Sequence, residues 1–258
     1  MAKARKVSRR KNKAERFDVE LEKNNVIAIT QGPRRKNWSV LDIKPIKPMR
    51  PPQASMIESY YMDNHVVATG SAGTGKTFIA MWLALNTIFS KDTPQDHIRL
   101  VRSAVPSREI GFLKGSNEEK LAVYETPYFD MLKDLMGKPS SYEDLKEAGK
   151  IIFTPTSFVR GSTWDNAVVI IDEAQNMTID EINSVMTRVG VNTKVIVCGD
   201  AKQNDLVGKR TAEQSGYKDF LRIAEAMSEM DIVVFTRDDI VRSAFVKSWI
   251  TAKEDLNL

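Results

Sequence analysis

From residue 65 onward the chain alternates short, unbroken apolar runs with longer stretches whose apolar residues recur at helical spacing. The runs are 65–69 (HVVAT), 98–102 (IRLVR), 151–154 (IIFT), 167–171 (AVVII), 194–198 (KVIVC) and 231–235 (DIVVF). Their hydrophobicity is continuous rather than alternating, which suits strands covered on both faces. Helices are expected over 76–89, 118–136, 141–148, 178–189, 215–228 and 238–253. In the last of these Val241, Phe245, Trp249 and Ile250 recur at helical spacing and read as core, as does Trp82. Strands alternating with helices predict an α/β fold: a three-layer αβα sandwich around a mainly parallel central sheet.

Ahead of this region the pattern changes. Up to about residue 40 the chain is polar, with one weak strand-like run at 24–30 (NNVIAIT). Prolines at 45, 48, 51 and 52 then call for an extended path over a surface, after which Gln53 opens a helix to Tyr61. The expected division is a basic N-terminal arm over 1–40 and one folded domain over 41–258. The formal net charge of +4 hides an asymmetry, because residues 1–16 hold eight Lys/Arg against Glu15 alone, and the remainder is net acidic. Such an arm could hold nucleic-acid phosphates or serve as a solvated tail. Cys198 is the only cysteine and His65 and His97 the only histidines, so no internal disulfide and no Cys/His metal cluster is expected. No apolar run reaches the ~20 residues of a membrane span, and the basic start is not followed by a signal-type apolar stretch. A cytoplasmic protein with no membrane partner is expected.

The chemistry is carried by residues 70–77, GSAGTGKT, which follow an apolar run and open a helical one. This fits the phosphate-loop pattern G-x-x-x-x-G-K-[ST]. Gly70, Ser71, Ala72, Gly73, Thr74 and Gly75 would curl their backbone N–H groups around a phosphate, and the helix expected over 76–89, with the ATP-binding candidate Phe78 in its first turn, adds its positive end. Lys76 should reach the β- and γ-phosphates, and the Thr77 hydroxyl should ligate Mg²⁺. In AVVIIDEAQN (167–176), Asp172 and Glu173 stand at the C-terminal end of a strand, where open α/β sheets bind ligands. Asp172 is expected to hold the Mg²⁺ through water, and Glu173 to be the general base for the attacking water. In KVIVCGDAKQNDL (194–206), Gln203 is placed to sense the γ-phosphate. DEAQ with GDxxQ is the combination of superfamily 1 helicase motors, and it makes the expected fold a RecA-like P-loop NTPase. Gln53, preceded by prolines and upstream of the loop, is the candidate adenine reader, since one amide can pair with both N6 and N7.

Residues 98–128, IRLVRSAVPSREIGFLKGSNEEKLAVYETPY, resemble a segment of PhoH-like proteins that reads roughly T-R-P-A-V-E-x-G-E-x-L-G-F-L-P-G, followed by E-K and a proline before an aromatic. FVRGSTWDNAVVIIDEAQN (158–176) is similar to that family's R-G-x-T segment and acidic strand, and RDDIVRSAFVKSWI (237–250) to its D-V-V-R-H-P-L-V element. The resemblance runs from about Ile46 to Asp255 and looks like the bacteriophage-borne members. It departs at Ser103, at Arg108-Glu109, at Lys114 and at Ser243. The resemblance implies an ATPase of the helicase type that acts with RNA, in a family associated with RNA metabolism and phosphate starvation and to which ribonuclease activity has been ascribed. A non-motor switch or scaffold driven by ATP is the rival expectation.

Helicases of this superfamily place ATP between two motor domains, the second supplying an arginine worth on the order of 10³–10⁵ in rate. The stretch from Gln203 to Leu258 is short for such a domain, so a neighbouring copy is expected to complete the site in a homohexameric ring. Arg242 and Arg160 are the arginine candidates, with Arg102 third. Single-stranded RNA or DNA is expected near Arg108, Phe112, Lys114, Lys120 and Arg160, where Phe112 could stack on a base or pack beneath its loop.

Overall fold

The computed structural model describes residues 38–103, 117–159, 161–200 and 215–256. Among them run six strands: β1 (His65–Gly70), β2 (His97–Arg102), β3 (Ile151–Pro155), β4 (Ala167–Asp172), β5 (Lys194–Gly199) and β6 (Met230–Phe235). The longer helices are α1 (Pro51–Tyr61), α2 (Lys76–Phe89), α3 (Asn117–Met136), α4 (Ser141–Glu147), α5 (Ile179–Met186), α6 (Tyr217–Glu225) and α7 (Ala244–Asp255). All strand pairings are parallel and the sheet order is β3-β2-β4-β5-β1-β6. The continuous apolar runs occupy the places their composition requires: every residue of β4 is buried, and β1 and β5 are buried through their centres.

Alternate strand residues feed two cores. On one face Val66, Ala68, Ile98, Leu100, Ile170 and Ile196 pack with residues of α1, α2, α3 and α4. On the other Val67, Val101, Val169, Ile171 and Val195 meet Ile182 and Val185 of α5 and Phe220 of α6. This is the expected three-layer sandwich. Trp82 packs against the first core, and its indole N–H donates to the Lys44 carbonyl at 3.2 Å.

Two expectations are corrected. Pro51 and Pro52 do not precede the helix but form its first two positions, where the missing N–H costs no intrahelical bond. The apolar set of the last helix is not core: α7 has no buried residue, Phe245 is 77% exposed and Trp249 67%. That helix also begins later than expected. A one-turn 3₁₀ helix at Arg237–Asp239 and an extended Ile240 come first, and the Val241 N–H donates to the Gly73 carbonyl at 3.0 Å.

The sheet order sets the geometry of everything below. β5 lies between β1, which leads into the phosphate loop, and β4, which ends in Asp172. The C-terminal ends of β1, β5, β4 and β2 therefore line up along one rim, with Arg102 in register with Asp172.

Candidate nucleotide site

The phosphate loop leaves β1 through a turn that only glycine fits. Gly70 has φ +117°, and a Cβ there would stand 1.9 Å from the Phe235 carbonyl oxygen. Within the loop the Thr74 hydroxyl donates to the Ser71 carbonyl at 3.0 Å, and Thr74 is fully buried. Gln53, itself buried, takes the Met49 N–H on its Oε1 at 2.7 Å and donates Nε2–H to the Thr74 carbonyl at 2.8 Å. Its amide thus ties α1 to the loop, and Gln53 stands in the lining of the cleft.

The loop is also held from the C-terminal side. The Ser71 hydroxyl donates to Glu254 Oε1 at 2.8 Å. The Arg242 stem crosses Gly73 so closely that a Cβ there would lie 2.9 Å from Arg242 Cγ and 3.6 Å from Ile250 Cδ1. Arg242 therefore lines the cleft of its own chain. The sequence offered it as an arginine for a neighbour's phosphates; within this chain it stands beside the phosphate loop.

The cleft has a volume of about 630 Å³. Its lining includes Ala72, Gly73, Thr74, Gly75, Lys76, Thr77 and Phe78 together with Asp172, Glu173, Arg102 and Gln53. Gly70 and Ser71 instead border an adjacent hollow with Arg237, Glu254 and Asp255. The Lys76 ammonium donates to the carbonyls of Gly70 at 2.7 Å and Ser71 at 2.8 Å. Burial holds its pKa below the ordinary lysine value, against the pull of Cys198, Asp200, Glu173 and Asp172.

At the acidic end the Thr77 hydroxyl donates to Asp172 Oδ1 at 2.8 Å, and the phenol of Tyr128 donates to Asp172 Oδ2, also at 2.8 Å. Glu173 follows with a left-handed backbone (φ 52°, ψ 43°), which turns the chain sharply off β4. Gln175 donates Nε2–H to Glu173 Oε2 at 2.6 Å and accepts the Asp200 N–H on Oε1 at 3.0 Å. Burial and the neighbouring Asp172 raise the Glu173 carboxyl above its usual range, while Gln175, Arg102 and Lys76 work the other way. Burial works to lower the Arg102 guanidinium, but Tyr128, Asp172 and Glu173 outweigh it and hold it charged.

This donor set fits Mg²⁺. A hydroxyl and a carboxylate, both hard oxygens, touch each other at the foot of a phosphate loop. Among the described residues no group of three or more His, Cys, Asp or Glu could hold a metal. A cation held by Thr77 and Asp172 must then complete its shell from phosphate and water, which is the habit of Mg²⁺ rather than of a caged metal ion. Gln203, Arg160, Arg108, Phe112 and Lys114 lie outside the described residues, as do the side chain of Lys120 and residues 1–37. Sequence reasoning missed Tyr128, Gln175 and Glu254. The proline-aromatic step at 127–128 was the only local signal for the first.

Fold and site define a P-loop α/β domain with a parallel central sheet. The family model for PhoH-like proteins matches residues 45–254, and the chain belongs to that family. It is 36% identical over 213 residues to Protein PhoH of Escherichia coli (strain K12), covering 82% of this chain and 59% of that one. It is 35% identical over 210 residues to a PhoH-like protein of Mycobacterium tuberculosis (strain ATCC 25618 / H37Rv), covering 81% and 58%. The chain thus spans under two thirds of the length of these relatives. Among solved structures, the large terminase of a thermophilic bacteriophage is similar with a TM-score of 0.46 at 14% identity, covering 79% of this chain and 50% of that one. The Sulfolobus solfataricus SWI2/SNF2 ATPase core in complex with dsDNA gives 0.45 at 13%, covering 78% and 47%. Among the described residues no helix is long and apolar enough to cross a membrane.

Proposed function

We propose that the protein binds Mg²⁺-ATP in this cleft, hydrolyses it, and couples the cycle to single-stranded nucleic acid, RNA first among the candidates. The observation that carries this reading is the contact between Thr77 and Asp172, which joins the phosphate loop to an acidic strand end with Glu173 next in the chain. Lys76 exchanges its hold on the Gly70 and Ser71 carbonyls for the β- and γ-phosphates. Gln53 takes the adenine edge. Glu173 accepts the proton of the attacking water, and its raised affinity for a proton suits that task. Thr77 and Asp172 hold Mg²⁺, which neutralises developing phosphate charge when bound. Arg102 and Arg242, both in the cleft wall, supply positive charge in cis.

The ring assembly expected from the sequence belongs to the same reading, with Arg160 as its candidate residue in trans. The outward Phe245 and Trp249 of α7, the helix that lies on the phosphate loop, support a covered surface beside the site. Light scattering with a non-hydrolysable ATP analogue tests this: a monomer with full turnover would exclude the ring.

The central test is ATP turnover with and without single-stranded RNA and DNA. Severalfold stimulation by RNA supports the motor reading. Turnover that ignores both nucleic acids would leave the switch or scaffold as the better description. Glu173→Gln should abolish turnover and retain ATP binding, and wild-type turnover by this variant would remove Glu173 from its role.

A further inference from the structure

Asp172 is gripped through both of its carboxylate oxygens. Oδ1 accepts from Thr77, whose place in the loop was legible in the sequence, and Oδ2 accepts from Tyr128, whose role was not. Tyr128 belongs to α3, outside every phosphate-site motif, and it is fully buried. Its ring packs against Phe153 of β3 with centroids 6.3 Å apart, so the phenol approaches Asp172 from a fixed wall. One turn earlier on the same helix, Tyr124 lies beneath the Arg102 guanidinium at 6.0 Å. Arg102 is in strand register with Asp172. Two tyrosines of α3 thus frame the acidic end of the cleft.

A carboxylate free to rotate about its Cβ–Cγ bond presents its lone pairs in no fixed plane. Two donors on its two oxygens remove that freedom, and a solvated side chain cannot substitute for a donor at a fully buried position. We propose that Tyr128 is a positioning residue for the metal–nucleotide complex: its hydroxyl locks the Asp172 carboxylate so that Oδ1 and the Thr77 hydroxyl face the cation accompanying the triphosphate. The inference rests on reading the cleft as a Mg²⁺-ATP site. Partners of this kind, which orient a metal ligand without touching the metal, typically govern 10- to 100-fold in metal affinity.

The test uses the full chain and its Tyr128→Phe variant, which keeps the ring and removes only the hydroxyl. Binding of a fluorescent ATP analogue is titrated with Mg²⁺ and repeated in EDTA, with a thermal melt in the absence of nucleotide. The Mg²⁺ concentration for half-maximal binding should rise about tenfold, while affinity in EDTA stays within about twofold of wild type. In an Asp172→Asn background, Tyr128→Phe should add no further change in the Mg²⁺ midpoint. An unchanged midpoint, or an equal loss with and without metal, would overturn the assignment and leave Tyr128 a packing residue. Wild-type protein that binds the analogue without regard to Mg²⁺ would overturn the reading of the cleft itself, and this assignment with it.

Discussion

Gln175 reaches back two residues to donate a 2.6 Å hydrogen bond to Glu173, while its carbonyl oxygen holds the Asp200 N–H beyond the end of β5. The left-handed backbone of Glu173 makes this possible, because it folds the chain so that the two side chains meet. One amide thereby fixes the base candidate to the strand that separates the phosphate loop from the acids. Gln175→Leu should leave ATP affinity near wild type and lower kcat on the order of 10²-fold through misplacement of Glu173. Measured kcat and binding constants decide this, and a parallel loss in both would assign Gln175 to structure alone.

Gly70 turns the chain from β1 into the loop at φ +117°, with the Phe235 carbonyl 1.9 Å from a would-be Cβ. The obstacle is backbone and cannot swing away. Gly70→Ala should cost at least ~2 kcal/mol in denaturant unfolding, from strain at φ and the clash together. A loss within ~0.5 kcal/mol would mean that the loop has another way off the strand.

Ser71 and Glu254 meet at 2.8 Å across a long stretch of sequence. A hydrogen bond to a charged group in a part-buried setting contributes roughly 1.5–3 kcal/mol. A double-mutant cycle of Ser71→Ala and Glu254→Ala should return a coupling energy of about 1 kcal/mol or more after relaxation. Simple additivity would show the contact to be idle.

His65 Nδ1 lies 3.2 Å from the Val195 N–H, as an acceptor, at the foot of the β1–β5 pair. Burial and Lys194 lower its pKa below the ordinary 6.5, against Asp63 and Glu229. The unfolded chain therefore takes up this proton first as pH falls. The stability it confers is complete above about 6.5 and declines as pH drops toward the depressed value. His65→Gln, which keeps an acceptor, should flatten the fall in unfolding free energy as pH drops below about 6.5. An unaltered slope would place that pH dependence elsewhere.

The strands and α2 were legible because continuous apolar runs have one reading when both sheet faces are covered, and the glycines of the loop have few alternatives. Thr77 and Asp172 came from the same local signals and stand in contact. Tyr128 could not be found that way: it reaches Asp172 from 44 residues away, and periodicity marks a tyrosine on α3 only as apolar. The α7 pattern misled for a related reason. Helical spacing shows that a stripe exists but not what covers it, and Phe245 and Trp249 face outward while Ile250 turns to Gly73. The place of Arg242 beside Gly73 was equally out of reach, since it goes with a backbone bond from Val241 to a loop residue far away in sequence.

That bond, with the Ser71–Glu254 contact, makes α7 and the phosphate loop one mechanical piece. The outer side of the piece carries two bare aromatic rings, and its inner side rests on the residues that would wrap a phosphate. A contact made on those rings would therefore bear on a helix that is bonded to the phosphate loop itself.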